Sequence, residues 1–250
     1  MREVFAPLSL SFLLLTALLY SALIMGVMWA NRRVKLADPT KADWSVRIFR
    51  FFVGGFLLCV GMAALDGTFL DPQAFPPMIV YAVLPALVGV LVLALHPLIL
   101  KWIREIPQRG LIGLQSFRLI VEIQLYFLAK AGLISTLLTF EGRNYDILIG
   151  LSAPFAAWYV HRKHRQNQGS PKFVVAWNVI GLLLLGNVVA QAFMSFPSVG
   201  LIIDPPGSLG IMAFPYAWLP SFMVPLALLL HILSLKREWS FHKNPAYKTR

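Results

Sequence analysis

Residues 115–134 read QSFRLIVEIQLYFLAKAGLI, and this stretch decides the class of fold. It has the length of about 20 residues that a helix needs to cross the hydrocarbon of a bilayer, and most of its side chains are apolar. Arg118, Glu122, Tyr126 and Lys130 nevertheless recur along it every four residues, so they share one side of a helix. The pattern predicts a membrane-spanning helix whose polar side faces protein or water rather than lipid.

The composition of the whole chain agrees with a membrane protein. Of its 250 residues, 58% are hydrophobic and only 13% are charged, about half the charged fraction of a soluble domain. Connections between the apolar runs are short, which indicates a single domain over residues 1–250. We therefore expect an all-α, polytopic bundle of seven transmembrane helices, at residues 8–30, 47–66, 78–100, 115–137, 146–163, 173–195 and 210–235.

Basic residues indicate the orientation of this bundle. Of the 22 Lys and Arg residues, 19 lie in or beside segments 31–50, 101–118, 161–172 and 236–250, which alternate with acidic segments along the chain. The positive-inside rule then predicts a cytoplasmic C-terminus and an N-terminus outside. Contact with the anionic lipid of the bilayer explains the net charge of +11, so no nucleic-acid partner is expected.

The polar stripe on the fourth predicted span has two interpretations. Arg118 and Glu122 stand one turn apart and can form an ion pair that locks the helix into the bundle. Alternatively, they line a functional cavity, because ionisable groups inside a membrane are costly and commonly mark a site or a pathway. The residues alone leave both interpretations open.

Polar residues of the predicted spans fall at two depths. At a rise of about 1.5 Å per residue, Glu122, Asn178, His96 and His231 lie in the cytoplasmic third of the membrane. The group in the outer third or at the outer mouth comprises Lys130, Asn187, Gln191, Glu141 and Asp146. Two polar layers around an apolar middle predict a gated pathway or a deep pocket with a polar floor. The alternative is structural: histidines that bond one backbone carbonyl each, and amides that bond neighbouring helices.

Residues 141–146, EGRNYD, separate two apolar runs. Arg143 can form a salt bridge with Glu141 or Asp146, and Asn144 or Asp146 can cap the helix that follows. The segment is therefore either an ordered corner between two helices or a binding mouth that offers Glu141 or Asp146 to a cation or a proton.

The last predicted span contains Pro215, Pro220 and Pro225 at five-residue spacing. An internal proline leaves a carbonyl without its usual donor and bends the helix, and broken helices in membranes can expose backbone to a site or a hinge. The expected cavity-lining and binding residues are Arg118, Glu122, Tyr126, Lys130, Glu141, Arg143, Asn144, Asp146, Asn178, Asn187, Trp218 and His231.

The pattern TFEGRN-x-DIL-x-GL-x-AP at residues 139–154 resembles the signature of an uncharacterised family of bacterial seven-span inner-membrane proteins. The resemblance extends upstream to Arg118 and Glu122. Downstream it includes Trp177, Asn178, Asn187, Pro215, Trp218, Leu219, Pro220, Pro225 and His231. It implies a seven-helix fold in the inner membrane of a bacterium, and no particular reaction. Similar proteins tend to have proline where this chain has Ser135.

A small-solute or proton-linked permease is the function that these features favour, because of the two polar layers and the prolines of the last span. A second hypothesis is a membrane-embedded enzyme or haem protein that uses His96, His231 and Glu122, since two histidines at matching depth can ligate haem. The third is a non-catalytic sensor or assembly factor.

Motif chemistry does not decide among these hypotheses. Cys59 is the single cysteine, which excludes a disulfide and a cysteine-based metal site within one chain. Neither HExxH nor GxSxG occurs, so the sequence assigns no enzyme class and no cofactor. His96 and His231 are only weak metal candidates.

Overall fold

The computed structural model describes residues 2–34, 39–166 and 171–243, and within these ranges the fold is all-α, without strands. The described residues form nine α-helices, two short 3₁₀ helices and a π-helical turn. The α-helices are α1 (Arg2–Arg33), α2 (Pro39–Leu65), α3 (Val80–Leu95), α4 (Pro97–Glu105), α5 (Gln108–Leu114), α6 (Phe117–Lys130), α7 (Ile147–Arg165), α8 (Pro171–Met194) and α9 (Val224–Lys243).

Five segments of the described chain are long and apolar enough to cross a membrane, and a bent pair of helices would make six. The five are Ala6–Arg33, Asp43–Leu65, Gln108–Lys130, Pro171–Met194 and Leu219–Ser240. The all-α prediction is thus confirmed, and five predicted spans coincide, with shifted ends, with helices that are long and apolar enough to cross a membrane. A count of seven is not confirmed, because the predicted spans at 78–100 and 146–163 differ from simple crossing helices.

The predicted span at 78–100 is broken at His96. Helices α3 and α4 meet there at an angle of 74°. Proline disfavours the helical conformation of the residue before it, and His96 accordingly has extended backbone with ψ 130°. Pro97 then starts α4, where a missing N–H costs nothing, and Nδ1 of His96 accepts a hydrogen bond from the Leu98 N–H at 3.2 Å. This histidine is an exposed helix cap at a bend.

Helices α5 and α6 replace the predicted span at 115–137. The crossing segment begins at Gln108 and ends at Lys130. Gly132 ends α6 in the left-handed conformation, with φ +72°, and the Leu133 N–H bonds the Leu128 carbonyl at 3.0 Å. The prediction placed this span too far along the chain because residues 131–137 are apolar. Those residues instead begin a segment of turns and one short 3₁₀ helix, Thr136–Leu138, that folds back into the bundle.

Helix α7, the fifth predicted span, is apolar only over residues 147–160, because its last turn carries Arg162, Lys163, His164 and Arg165. Fourteen apolar residues cover about 21 Å, less than the roughly 30 Å of hydrocarbon. The helix packs closely on α6, since a Cβ added at Gly150 would collide with the backbone of Leu119. Its first turn therefore lies beside the start of α6, at the middle of the crossing segment Gln108–Lys130 and inside the bundle.

Helix α9 lies at the centre of the bundle, packed against α3, α4, α5 and α8. A π-helical turn at Leu219–Met223 precedes it. Pro215 lies before this turn, Pro220 is inside it, and Pro225 is in the first turn of α9. The predicted span at 210–235 thus begins later than expected, because Pro215 lies before the crossing segment Leu219–Ser240. Pro220 and Pro225 lie within that segment, at the π-helical turn and just after it, and the helix then continues to Lys243.

The basic segments meet at one end of the bundle. Indole Nε1 of Trp102 donates to Asn31 Oδ1 at 3.2 Å, and guanidinium Nε of Arg237 donates to the Ile106 carbonyl at 2.6 Å. Arg109 Nη1 lies 3.1 Å from Nε2 of His161 at the end of α7. We call this the basic end.

Loops cover the opposite end of the bundle. Ser198 Oγ donates to the Ala74 carbonyl at 2.6 Å, and the Ser135 hydroxyl donates to the Asp204 carboxylate. Lys130 Nζ lies 3.0 Å from Glu141 Oε2. Acidic residues thus mark the second end, which we call the acidic end.

Candidate functional site

A buried arginine organises the interior of the bundle. Arg118, on α6, is 2% exposed. Its Nε donates to Asp146 Oδ2 at 2.5 Å, and its Nη2 donates to Asp146 Oδ1. Nη1 lies 2.8 Å from His231 Nε2, and Nη2 also approaches the Gly181 carbonyl at 3.5 Å. The guanidinium is therefore held by α7, α8 and α9 together, in the fork geometry that suits a carboxylate.

The contacts of His231 fix its tautomer. A guanidinium can only donate, so Nε2 of His231 is the acceptor and the ring is neutral. Nδ1 then carries the hydrogen and donates to Asn178 Oδ1 at 2.8 Å. The ring is fully buried and lies against Gly181, where an added Cβ would collide with the imidazole. A side chain at position 181 would displace the ring from both partners.

The network continues towards the basic end. Asn178 Nδ2 donates to the Val174 carbonyl and to Ser234 Oγ, both at 2.8 Å. Gln108 Nε2 donates to the same Ser234 Oγ at 2.6 Å. Gln108 was missed because it precedes the predicted fourth span. Ser234 had a usable signal: it lies three residues after His231, on the same helix face.

The EGRNYD segment forms part of this interior. Asn144 is fully buried, its Oδ1 accepts from the Asp146 N–H at 2.9 Å, and its Nδ2 donates to the Leu138 carbonyl at 3.0 Å. The same Nδ2 donates to Glu122 Oε1 at 2.7 Å. Asp146 was expected in the outer layer, yet it lies level with Arg118, twelve residues or about 18 Å before Lys130 along α6. The segment is neither an external corner nor an open mouth, and it carries Asp146 to the middle of the bundle.

Two predicted ion pairs are wrong, and of the two side chains predicted to cap α7 only that of Asn144 accepts a backbone hydrogen bond there, from the Asp146 N–H. Arg118 pairs with Asp146 and not with Glu122, because the carboxylate at the start of α7 receives both guanidinium donors. Arg143 is exposed and forms no ion pair with described residues, since Glu141 pairs with Lys130. Asp146 precedes α7 at the N-cap position, but its side chain makes no capping hydrogen bond because Arg118 occupies it.

Six buried side chains of the described residues, Gln108 among them, have a polar atom without a hydrogen-bond partner, and Glu122 is the ionisable one. Its side chain is 2% exposed, Oε1 accepts from Asn144, and Oε2 has no hydrogen-bond partner among the described residues. An ionised oxygen there needs a donor and a protonated one needs an acceptor, so the group is unsatisfied in either state. Such an oxygen costs about 1–3 kcal/mol, and more if it is charged.

A cavity of about 170 Å³ lies next to Glu122, between α3, α6, α8 and the start of α9. Glu122 and Asp146 are the charged residues of its wall. The remaining lining residues are apolar: Pro77, Ile79, Val80, Val83, Val121, Leu125, Leu138, Leu185, Val188, Val189, Ala192, Phe193, Phe196, Ile211, Met212, Leu219, Pro220 and Val224. The cavity can therefore hold a small, largely apolar molecule against a carboxyl group.

Other predicted site residues lie nearer the acidic end. Tyr126 stacks on Phe140 with ring centroids 5.3 Å apart, and Lys130 Nζ lies 5.0 Å from the Tyr126 ring. Nδ2 of Asn187 and Nε2 of Gln191 donate to the Arg143 carbonyl, at 2.8 and 2.9 Å. These amides attach the EGRNYD backbone to α8. This contact agrees with the structural alternative, in which the amides bond neighbouring parts of the bundle.

Trp218 and His96 lie apart from the network. Nε1 of Trp218 donates to the Leu57 carbonyl at 2.9 Å, which ties the start of the last helix to α2. No group of three or more metal-binding side chains occurs in the described part of the chain. Both nitrogens of His231 are occupied by Arg118 and Asn178, so a metal or haem iron could bind there only by breaking one of these bonds.

Ser135 departs from the proline expected at its position. Its N–H donates to the Gly207 carbonyl at 2.8 Å, and its hydroxyl donates to Asp204. Proline can make neither bond. In this chain, therefore, Ser135 joins the folded-in segment to the loop before the last helix.

Residues 75–237 match a family described as a domain of unknown function (DUF8737). No curated protein and no solved structure matches the chain. The matched range contains every residue of the buried network, from Gln108 to Ser234, together with all residues that line the cavity. Helices α1 and α2 lie outside it.

Proposed function

The chain belongs to the DUF8737 family, a domain of unknown function, and we propose that this member is a small-solute permease linked to protons. In this proposal the solute binds in the cavity beside Glu122, and Glu122 gains and loses the proton. The observation that carries the proposal is the buried Glu122 carboxyl with an unpartnered Oε2 in the wall of a cavity whose other lining residues, apart from Asp146, are apolar.

The proton link follows from the environment of Glu122. A lone carboxylate among apolar groups is strongly destabilised, so the group takes up a proton or a cation. Asp146 does not share this requirement, because Arg118 balances its charge and the N-terminal end of α7 favours a negative group. Glu122 is thus the carboxyl in the cavity wall that is left for a mobile charge.

Interrupted helices beside the cavity support a conformational change of the kind that alternating access requires. Val80 and Val83 of α3 line the cavity, and α3 ends at the 74° bend before Pro97. Leu219 and Pro220 line it from the π-helical turn, a feature that is frequent at functional sites and hinges. Helix α7 starts at mid-depth, as half-helices at transporter sites do. Alternating access would use these three breaks.

We further propose seven crossings in a bacterial inner membrane, with the N-terminus outside and the C-terminus in the cytoplasm. The bent α3–α4 pair and the short α7 would supply the sixth and seventh crossings. The gathering of Arg109, Arg237 and the last turn of α7 at one end of the bundle supports a cytoplasmic basic end.

Cysteine labelling tests the orientation. Glu141→Cys and Arg165→Cys are each made in a Cys59→Ala background, and intact cells are treated with a membrane-impermeant maleimide. We expect position 141 to react in intact cells and position 165 to react only after permeabilisation. The reverse pattern would place the basic end outside.

Flux through reconstituted vesicles tests the permease. Vesicles that contain a trapped pH indicator receive, one at a time, small amines, carboxylates and alcohols. Wild type should move protons with at least one class, and Glu122→Gln should move none, while the exposed control Glu141→Gln behaves as wild type. Equal rates from wild type, Glu122→Gln and protein-free vesicles for every class would rule out the proposed role.

A further inference from the structure

The charges around the cavity define the kind of solute that it accepts. Arg118 is balanced by Asp146, and His231 is neutral because its Nε2 accepts from the guanidinium. Ionisation of Glu122 therefore adds one negative charge that no described residue offsets.

The groups that face Glu122 from each neighbouring element confirm this balance. On α6, Arg118 lies one turn from Glu122, whereas Lys130 lies two turns beyond it and pairs with Glu141. The EGRNYD segment contributes Asn144 and Asp146. The cavity residues of α3, α8 and the start of α9 are all apolar, for example Val83 and Leu185. No further cation among the described residues lines the cavity, and the Arg118 guanidinium is committed to Asp146, His231 and Gly181.

We propose that the cavity binds a small lipophilic organic cation, with its ammonium group at Glu122 and its hydrocarbon part against α3, α8 and α9. This inference rests on the proposed function and names its substrate class. Without the cation, Glu122 carries a proton. When the cation binds, Glu122 releases that proton to the solvent and its carboxylate accepts a hydrogen bond from the ammonium group, so one positive charge replaces another.

Other solute classes fit less well. An anion would meet Glu122 and Asp146 without an available cationic partner. A neutral ligand could bond the protonated carboxyl, but it would displace no proton, so its binding would not be linked to protons. The volume of about 170 Å³ is below the range of about 300–1,000 Å³ typical for drug-sized ligands, so the cation has only a few non-hydrogen atoms.

The position of the cavity suits a ligand that enters from lipid. Helices α3 and α8 each pack against α9, and neither packs extensively on the other. Val189 and Phe193 of α8 line the cavity and are also 44% and 45% exposed on the apolar surface of the bundle. A lipophilic cation can reach such a side opening through the membrane interface.

Equilibrium binding in lipid nanodiscs tests the ligand class without requiring transport. The probes are n-butylammonium, 1-butanol and butyrate, which have similar size and differ in charge. Calorimetry in two buffers of different ionisation enthalpy reports both affinity and proton release. We expect n-butylammonium to bind wild type with release of close to one proton. Its affinity should exceed that of 1-butanol by about 10-fold or more. Butyrate should not bind.

Two variants test the contributions of the Glu122 carboxylate and of the apolar cavity wall to binding separately. Glu122→Gln should weaken n-butylammonium by about 10-fold or more and abolish proton release, with Glu141→Gln as the matched control. Val83→Phe fills the apolar part and should weaken all binding while it leaves the carboxylate intact. Gel filtration and thermal unfolding show that each variant is folded.

The outcomes are distinct for the two proposals. The cation assignment is overturned if folded wild type fails to bind n-butylammonium. It is also overturned if wild type binds 1-butanol equally well and Glu122→Gln has no effect on binding. Binding with proton release but no flux in vesicles keeps the cation site and rejects the permease. Proton-linked flux of carboxylates alone keeps the permease and rejects the cation.

Discussion

Arg118 and Asp146 form a bidentate ion pair in the interior of the bundle, although 28 positions separate them in the chain. The pair joins the first turn of α6, at the middle of the crossing segment Gln108–Lys130, to the N-cap of α7. Arg118 lies about 18 Å before the acidic end of α6, and its partner Asp146 lies at the same depth. The EGRNYD segment therefore extends from the acidic end to that depth. Irregular backbone at that depth is tolerated only where protein surrounds it or a cavity adjoins it, and here both conditions hold.

Replacement of Asp146 by asparagine should destabilise the protein strongly. The variant leaves Arg118 buried without a counter-charge, and breaking a buried pair in this way costs about 3–5 kcal/mol. Thermal unfolding in detergent measures the loss. Glu141→Gln, which removes the exposed partner of Lys130, should leave the midpoint nearly unchanged. Similar midpoints for the two variants would show that the interior pair contributes little.

Two glycines of α8 should respond in opposite ways to alanine. A Cβ at position 181 would collide with the imidazole of His231, so Gly181→Ala should break the ring's bonds to Arg118 and Asn178. Each lost buried bond costs about 1–3 kcal/mol. A Cβ at Gly186 meets nothing within 4 Å, so Gly186→Ala should be neutral or stabilise the helix by up to about 1 kcal/mol. Denaturant unfolding of both variants compares them, and an equal loss from each would contradict the placement of His231.

Maleimide reactivity should differ between positions 141 and 145 of the EGRNYD segment. In a Cys59→Ala background, Glu141→Cys should react with a water-soluble maleimide. Tyr145→Cys should not, because residue 145 is adjacent to Asp146 at mid-depth and its side chain is exposed on the lipid-facing side of the bundle. Rapid labelling at both positions would mean that the segment is an external corner after all.

Glu122→Gln should fold about as stably as wild type. The amide oxygen can keep the bond from Asn144, and the amide N–H of glutamine is left without an acceptor just as the O–H of the protonated carboxyl is. A change of less than about 1 kcal/mol is therefore expected in denaturant unfolding. Flux that is lost while stability is kept is the behaviour of a functional residue. A loss as large as that of Asp146→Asn would instead make Glu122 a structural member of the network.

Much of the site was visible in the sequence as a set of residues, but its pairings were not. The four-residue spacing of Arg118 and Glu122 correctly placed them on one helix side, and it suggested that they pair. The fold supplies a competing carboxylate from α7 that no local pattern reveals. Gln108 was overlooked because hydropathy places the start of a span poorly where polar residues lie at its edge.

Hydropathy and charge by themselves determined that this chain is a helical membrane protein and which segments are apolar enough to cross, because both depend on residues that are adjacent in the chain. The contacts between helices decided the rest: which carboxylate balances Arg118, which carboxyl stays unpaired, and where a cavity forms. These outcomes depend on which helix faces pack together and on side chains tens of residues apart. The energy of a buried charge is set by whatever surrounds it, and only the tertiary structure specifies that environment.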